Sequence, residues 1–132
     1  MSTLVSFFVP GVPVPQGSKT IRRHGDKAWL TDVNDKALKA WRTSVNKIAA
    51  EAMADKQPLD SAVEVHATFY LPKPASVKRD YPHVKPDVDK LLRGLLDSLQ
   101  PCFVDDSRVT DVVASKRYAE VTGVTVRILE KN

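Results

Sequence analysis

Apolar and polar residues alternate along the chain in patterns that predict four strands. Leu4 to Val9 is a short apolar run closed by Pro10, which predicts a first strand buried on both faces. Val63 to Leu71 alternates with period two, as in a half-buried strand. Val109 to Tyr118 and Val121 to Leu129 predict two closing strands joined by a tight connection.

Helical spacing of apolar residues marks two further segments. From Asp35 to about Ala54 they form one stripe that includes Trp41, which we expect in the core. Leucines repeat in the same way from Val88 to about Gln100, and Pro101 follows as a stop. The predicted order is β-α-β-α-β-β over residues 1–132. It favours a single α+β domain with a mixed sheet packed against two helices.

Two segments rich in proline, glycine and basic residues separate these elements. They run from Val12 to Lys27 and from Pro72 to Pro86, and both are predicted to be irregular loops. They are either solvated loops or arms that bind phosphate. Their candidate DNA-binding residues are Lys19, Arg22, Arg23, Lys27, Lys73, Lys78, Arg79 and Lys85.

Composition indicates which kind of partner the protein binds and in which compartment it is expected. Lys and Arg outnumber Asp and Glu by 20 to 16, which favours a polyanion over an acidic protein or a membrane. Cys102 is the one cysteine, so it excludes an internal disulfide and is expected to be a buried apolar residue. No apolar run approaches a membrane span, and Met1 to Pro10 lacks a basic leader. We expect a cytoplasmic protein that does not enter a membrane.

Two pairs of aspartates carry the candidate chemistry. Asp87 and Asp89 open the leucine-rich helix, and Asp105 and Asp106 follow an apolar segment. Mg²⁺ and Mn²⁺ prefer oxygen ligands, and two ions about 4 Å apart can hold the attacking and leaving oxygens of a phosphodiester displacement. Because Pro86 restricts the residue before it, Asp87 is expected at the cap position, where its carboxylate can meet that of Asp89. The pairs therefore suggest a nuclease.

Helix capping is the competing explanation for the first pair. An N-cap aspartate stabilises a helix by about 1 kcal/mol, and a first-turn acid adds a few tenths. Against it, Asp89 is expected to be half-buried beside the leucine stripe, where an unpaired carboxylate is costly. Asp89, Arg93 and Asp97 follow one another at four-residue steps and so form an acid-base-acid row along the helix. The simpler explanation of this row is two weak ion pairs.

The ordered motif resembles a known family. The segment Lys-Pro-Asp87-Val-Asp-Lys-Leu-Leu-Arg-Gly-Leu-Leu-Asp-Ser-Leu, followed by Val-Asp-Asp106-Ser-Arg-Val, closely resembles the RusA endodeoxyribonucleases, which are Holliday junction resolvases. The resemblance extends to Ser-Lys-Arg-Tyr118 and, weakly, to the opening Pro-Gly-Val-Pro-Val-Pro-Gln-Gly. It implies a homodimer, common on phages and prophages, that cuts four-way DNA junctions symmetrically with Mg²⁺ or Mn²⁺.

The resemblance also implies roles for individual residues. Asp87, Asp89 and Asp106 correspond to the essential aspartates. Asp105 and Asp97 correspond to supporting positions: Asp105 would be a further metal ligand, and Asp97 would contact the groups around the metal. Where the best-known members carry a functional lysine, this chain has Arg93, which stays protonated and cannot act as a general base. Lys90 and Lys116 are the alternative candidates for that role.

Three other functions remain open from the sequence. A related nuclease that cuts flaps or other branched DNA would use identical site chemistry. A DNA-binding module without catalysis would bind junctions and leave them intact, and a structural phage protein would do neither. A restriction-like nuclease is disfavoured because no Asp/Glu-x-Lys motif follows in a suitable strand.

Overall fold

The structure is a computed structural model that describes residues 3–17, 19–32 and 35–131, without the side chains of residues 3, 4, 19–22 and 29–32. The predicted α+β class is confirmed. Two short 3-10 segments, Gln100–Cys102 and Asp106–Arg108, accompany the regular elements. These elements are β1 (Thr3–Pro10), β2 (Lys19–His24), β3 (Lys27–Asp32), α1 (Asp35–Met53), β4 (Val63–Leu71), α2 (Val88–Leu96), β5 (Val109–Tyr118) and β6 (Gly123–Glu130).

Strands β1, β6, β4 and β5 form one mixed sheet in that spatial order. β4 and β5 are parallel, while β6 is antiparallel to both β1 and β4. A parallel pair needs a crossover connection, and α2 lies in the crossover from β4 to β5. The start of α2 therefore follows the end of β4, and the end of α2 leads back toward the start of β5.

The core lies between one face of this sheet and the two helices. Alternate residues of β4 are buried, as its period-two pattern predicts, and Trp41 of α1 is buried as expected. Phe69, Leu91, Leu95 and Cys102 are fully buried in the same cluster. Within the described residues, no helix is long and apolar enough to cross a membrane.

The amino-terminal segment differs from its prediction in two ways. β1 is buried on one face only, because Phe8 on the opposite face is 39% exposed. The segment from Val12 to Lys27 is not wholly irregular: its second half belongs to the antiparallel β2–β3 hairpin. His24 and Lys27 pair across a turn in which Gly25 takes a φ of 62°, a conformation that glycine adopts without strain.

Helix α2 ends at Leu96, four residues before the predicted end. Pro101 cannot donate to the carbonyl of Asp97, and its ring would clash with that carbonyl in a continued helix. The Gln100 side chain donates to this carbonyl instead. The backbone N–H groups of Ser98 and Leu99 bond three residues back, which tightens the chain into a turn before the Gln100–Cys102 segment.

Candidate active site

Asp87 occupies the N-cap position of α2, as predicted, but its carboxylate makes no capping hydrogen bond. Its backbone is extended, with φ −70° and ψ 140°, and it follows the cis peptide bond between Lys85 and Pro86. Its carbonyl accepts the first helical bond, from the N–H of Leu91 at 3.1 Å. About half of the side chain, 53%, is exposed. The backbone thus begins the helix while the carboxylate stays available to a ligand.

Asp89 lies in the first turn of α2 and is exposed, so the expectation that it would be half-buried is wrong. The buried part of the helix begins only at Leu91, and the turn before it extends past the edge of the core. No described residue donates a hydrogen bond to the Asp89 carboxylate or pairs with it. The Asp89 carboxylate is therefore available to a cation because it is exposed and has no partner among the described residues, and not because it is buried.

Two lysines lie beside Asp87. The Nζ of Lys90 is 3.8 Å from the Asp87 carboxylate, one turn along the helix. The Nζ of Lys116 on β5 donates to the carbonyl of Val84 at 2.6 Å and to that of Pro86 at 2.8 Å. Lys116 therefore holds the backbone directly before Asp87. Lys90 thus lies near the carboxylate of Asp87, whereas Lys116 contacts the backbone that precedes this aspartate.

Arg93 lies one turn further along α2, against the segment that follows β1. Gly17 passes so close that a Cβ placed on it would be 2.7 Å from Nη1 of Arg93. The N–H of Gln16 donates to the carbonyl of Lys90 at 2.9 Å, which fixes this segment along the helix. Arg93 forms no ion pair with Asp89 or Asp97 in the described structure. The acid-base-acid row predicted from the sequence is thus not connected.

Asp97 is held by Gln16, a residue that the sequence analysis did not single out. The Nε2 of Gln16 donates to the Asp97 carboxylate at 2.6 Å. Asp97 lies at the C-cap of α2, eight residues after Asp89, which corresponds to about 12 Å along the helix axis. Gln16 belongs to the opening motif that the resemblance includes, but its contact with Asp97 has no local signal, because the two residues are 81 positions apart.

Asp105 and Asp106 lie side by side but differ in their contacts. Asp105 caps the Asp106–Arg108 segment by accepting from the N–H of Ser107 at 2.8 Å. Hydrogen bonds from the hydroxyl and the N–H of Ser107 lower the pKa of Asp105. Asp106 is exposed, and no described residue contacts its carboxylate through a hydrogen bond or ion pair. Turn chemistry thus explains one of these aspartates and leaves the other available.

The two acidic pairs are not brought together within one chain. Asp87 and Asp89 are at the start of α2, whereas Asp105 and Asp106 come after its end and just before β5. In the described residues, no three side chains of His, Cys, Asp or Glu are grouped so as to hold one metal ion. A single chain therefore presents two carboxylates at one place and the third predicted ligand elsewhere.

The predicted DNA-binding residues belong to two segments, the β2–β3 hairpin and the loop after β4. Arg23 and Lys27 lie on the β2–β3 hairpin, whereas the side chains of Lys19 and Arg22 fall outside the described residues. The Nζ of Lys73 lies over the ring of Tyr118, 5.7 Å from the ring centre, at cation–π distance. The loop after β4 is irregular, as predicted, and also carries Lys78, Arg79 and Lys85.

Comparison with known proteins addresses the motif directly. The family model described as Endodeoxyribonuclease RusA matches residues 10–129. The chain belongs to the RusA endodeoxyribonuclease family. The match covers every predicted site residue and confirms the resemblance found in the sequence. Membership in the RusA family indicates an endodeoxyribonuclease of the kind that resolves Holliday junctions, with branched DNA as its substrate.

This RusA family member is also similar to a protein of Bacillus subtilis (strain 168). The two sequences are 28% identical over 139 residues, an alignment that covers 96% of each. That relative is described as the uncharacterized protein YqaN, so it assigns no function. Function therefore rests on the family match and on the geometry around Asp87.

Proposed function

We propose that this protein is a divalent-cation-dependent Holliday junction resolvase that works at the start of α2. The observation that carries the proposal is the position of Asp87 and Asp89. Both carboxylates are exposed, and within the described residues neither accepts a capping or other hydrogen bond. Lys90 lies 3.8 Å from the Asp87 carboxylate, and Lys116 is bound to the backbone before Asp87.

Charge explains why a cation is required. A phosphate placed beside Asp87 and Asp89 meets two negative groups, and unit charges 4 Å apart repel by about 4 kcal/mol near a protein surface. Asp87 and Asp89 would hold a divalent cation whose charge would offset that repulsion. Carboxylate oxygens suit Mg²⁺, and Mn²⁺ can replace it. Two carboxylates from one chain are too few to form the predicted ligand set.

The basic residues around the aspartates have separate roles. Arg93 remains protonated at every working pH, so it serves to bind phosphate and to offset the charge that develops on it. Lys90 adds a positive charge on the same turn as Asp87. Lys116 donates to two carbonyls and thereby fixes the approach of the chain to Asp87. These residues position and neutralise a phosphate that Asp87 and Asp89 alone would repel.

Exposed basic residues on the β2–β3 hairpin and the loop after β4 would bind the DNA backbone. Contacts with phosphate position a protein on DNA without reading sequence, and here they would recognise the shape of the junction. A four-way junction has strands related by a two-fold axis, so paired cleavage requires two sites related by a matching axis. The active form is accordingly a homodimer.

The direct test uses a labelled four-way junction, a flap and a duplex of matched sequence. Each is incubated with the protein in Mg²⁺, in Mn²⁺ or in chelator. We expect paired nicks in the junction with either metal and no cleavage in chelator. Asp87→Asn and Asp89→Asn should lower the cleavage rate at least about 100-fold, the scale of losing a group that stabilises the transition state. Asp80→Asn, an exposed acid in the same loop, is the matched control and should cleave at the wild-type rate.

The other outcomes separate the competing functions. Preferential cleavage of the flap would replace the resolvase with a related branched-DNA nuclease. Tight junction binding without cleavage under any metal would assign a non-catalytic binding module. Cleavage that persists in chelator would contradict the cation requirement.

A further inference from the structure

Tyr81 is an aromatic residue of the loop after β4, and it is 60% exposed. Its ring lies against β5, because the guanidinium carbon of Arg117 is 5.2 Å from the ring centre. His83 fixes the turn behind it: its backbone N–H donates to the Tyr81 carbonyl at 2.9 Å, and its Nδ1 donates to the same carbonyl at 3.1 Å. The ring is therefore held in place while much of it stays open to solvent.

An open pocket of about 270 Å³ lies beside this ring, between the loop and β5. Its lining includes three aromatic or aliphatic residues and three polar ones: Tyr81, Val88, Ala114, His83, Ser115 and Arg117. Pockets for drug-sized ligands measure about 300–1,000 Å³, so this pocket suits a smaller group. A single flat ring with apolar faces and a polar edge matches both its size and its lining.

The pocket adjoins the proposed active site. Val88, which lines it, directly follows Asp87, and consecutive Cα atoms are about 3.8 Å apart. Lys116 also lines it and holds the carbonyl of Pro86, which directly precedes Asp87. In a nucleotide, one sugar joins the base to its phosphate. A nucleotide whose phosphate lies beside Asp87 can therefore reach the pocket with its base.

We propose that this pocket, the Tyr81 pocket, receives an unstacked nucleobase of the strand that is cleaved, and that the base stacks on the ring of Tyr81. The inference rests on the proposed function. Unstacked bases are recognised by stacking on aromatic rings and on arginine guanidinium groups, and both are present here. Bases inside a duplex are covered on both faces by their neighbours, whereas a strand that changes partners at a branch point can release one. The pocket thus favours branched DNA over duplex.

The polar groups favour a nucleotide over the aromatic side chain of a protein partner. Lys116 and Arg117 line the pocket, and their charges would attract the phosphate attached to a base. A carbonyl can only accept, so the Nδ1 of a neutral His83 carries the proton that bonds Tyr81, and its Nε2 is left as an acceptor for the amino group of a base. A phenylalanine or leucine side chain would use neither feature.

Photo-cross-linking tests the contact without cleavage. 5-Iododeoxyuridine is placed in turn at each position around the branch point, and the junction is irradiated with the protein in chelator. We expect a cross-link to Tyr81, located by mass spectrometry of the digested complex. Tyr81→Ala should abolish it, whereas Tyr81→Phe should keep it because the ring stacks without its hydroxyl. The same iodinated strand in a duplex should give no cross-link to Tyr81.

The outcomes separate the Tyr81 pocket from the proposed function. A cross-link at Tyr81 in a protein that cleaves no junction under any metal would support the pocket and overturn the nuclease. Cleavage by a protein that gives no Tyr81 cross-link at any position would overturn the pocket and leave the nuclease standing. Equal cross-linking of junction and duplex would contradict the selection of an unstacked base.

Single-turnover cleavage tests whether the stacked base matters to the reaction. Tyr81→Ala should lower the rate about 10-fold or more, the scale of one lost stack between a base and an aromatic ring, and Tyr81→Phe should restore it. Phe8→Ala is the matched control. It removes a 39% exposed ring from β1, at the opposite edge of the sheet, and should cleave at the wild-type rate. Circular dichroism confirms that each variant folds.

An abasic junction separates stacking from a structural role of Tyr81, such as anchoring the loop to β5. Removal of the base at the cross-linked position should slow the wild type about as much as Tyr81→Ala does. With both changes the rate should fall no further, because each removes the same contact. Two losses that multiply would mean that Tyr81 acts by holding the loop, and would overturn the pocket.

Discussion

The Nζ of Lys116 donates to the carbonyl of Pro86 at 2.8 Å, so a residue of β5 fixes the chain directly before Asp87. Two carbonyls share this ammonium, and the second belongs to Val84. The position of the Asp87 carboxylate therefore depends on a side chain from a different element. We therefore propose that Lys116 positions Asp87 in addition to supplying positive charge.

Lys116→Met should lower junction cleavage by about 10-fold to 100-fold, the usual cost of removing a group that orients a metal ligand. The methionine keeps the length of the side chain but cannot hold the two carbonyls. Lys56→Met is the matched control because Lys56 is an exposed lysine just after α1. Single-turnover rates with saturating protein separate this effect from binding. Equal rates for both variants would contradict the positioning role.

Gly17→Ala should displace Arg93. A Cβ at this position would be 2.7 Å from the guanidinium, and Gly17 has a φ of 126°, which alanine rarely adopts. We expect a loss of about 1–3 kcal/mol in the free energy of unfolding and about tenfold slower cleavage. Gly25→Ala is the control: its φ is also positive, at 62°, but nothing lies within 4 Å. It should lose stability and keep its cleavage rate.

The two effects of Gly17→Ala can be separated by a double-mutant cycle. In an Arg93→Ala background the alanine at position 17 has no guanidinium to displace. It should therefore cause little further reduction in the cleavage rate. A full additional reduction would mean that Gly17 acts through the backbone and not through Arg93.

Acid should weaken the turn that presents Asp106. The pKa of Asp105 is lowered in the folded chain by hydrogen bonds from Ser107, so its carboxylate stabilises the fold above its ordinary pKa of 3.8. That contribution disappears as the pH falls through the lower folded pKa. The urea midpoints of the wild type and Asp105→Asn should thus differ near neutral pH and converge in strong acid. Ser107→Ala should reduce the difference, and a constant difference across the range would contradict the linkage.

Leu95→Ala should destabilise the fold by about 3 kcal/mol, because it leaves a cavity under α2 where the side chain is fully buried. Val121→Ala, at an exposed site, should change the free energy of unfolding by less than about 0.5 kcal/mol. Urea denaturation measures both. A destabilisation below about 1 kcal/mol for Leu95→Ala would mean that the core around α2 is loosely packed.

The β2–β3 hairpin should contribute to DNA binding through charge alone. Arg23→Ala with Lys27→Ala should weaken junction binding more at low salt than at high salt. The slope of log affinity against log salt should fall by about 1 for each phosphate that the variant no longer binds. Lys56→Ala, an exposed lysine just after α1, is the control and should leave the slope unchanged. An unchanged slope in the hairpin variant would remove this segment from the DNA interface.

Much of the fold follows from the sequence because its signals are periodic. The alternation of β4 and the stripe of α1 each reflect one apolar face, and the structure places both as predicted. The sequence predicts too late an end for α2 because leucine spacing continues to Leu99 while the chain already turns after Leu96. The backbone bonds that tighten this turn have no periodic signal.

The sequence predicts the candidate site less completely for a related reason. The motif predicts Asp87, Asp89 and Asp106 as candidate metal ligands, and local turn chemistry places Asp87 at the N-cap of α2. Their distances depend on how α2 crosses the sheet, which the motif does not encode. The hydrogen bonds of Gln16 with Asp97 and of Lys116 with Pro86 join residues far apart in sequence, so no local pattern predicts them.

The buried thiol of Cys102 gives this protein a built-in reporter of unfolding. Burial raises its pKa to about 11, so near neutral pH the folded protein presents almost no reactive thiolate. A thiol reagent would reach it only when the core around α2 opens. Because the chain has one cysteine, the rate of its modification would measure that opening directly, without an added label. The same measurement, made with and without a bound junction, would show how much DNA binding slows the opening of the core around α2.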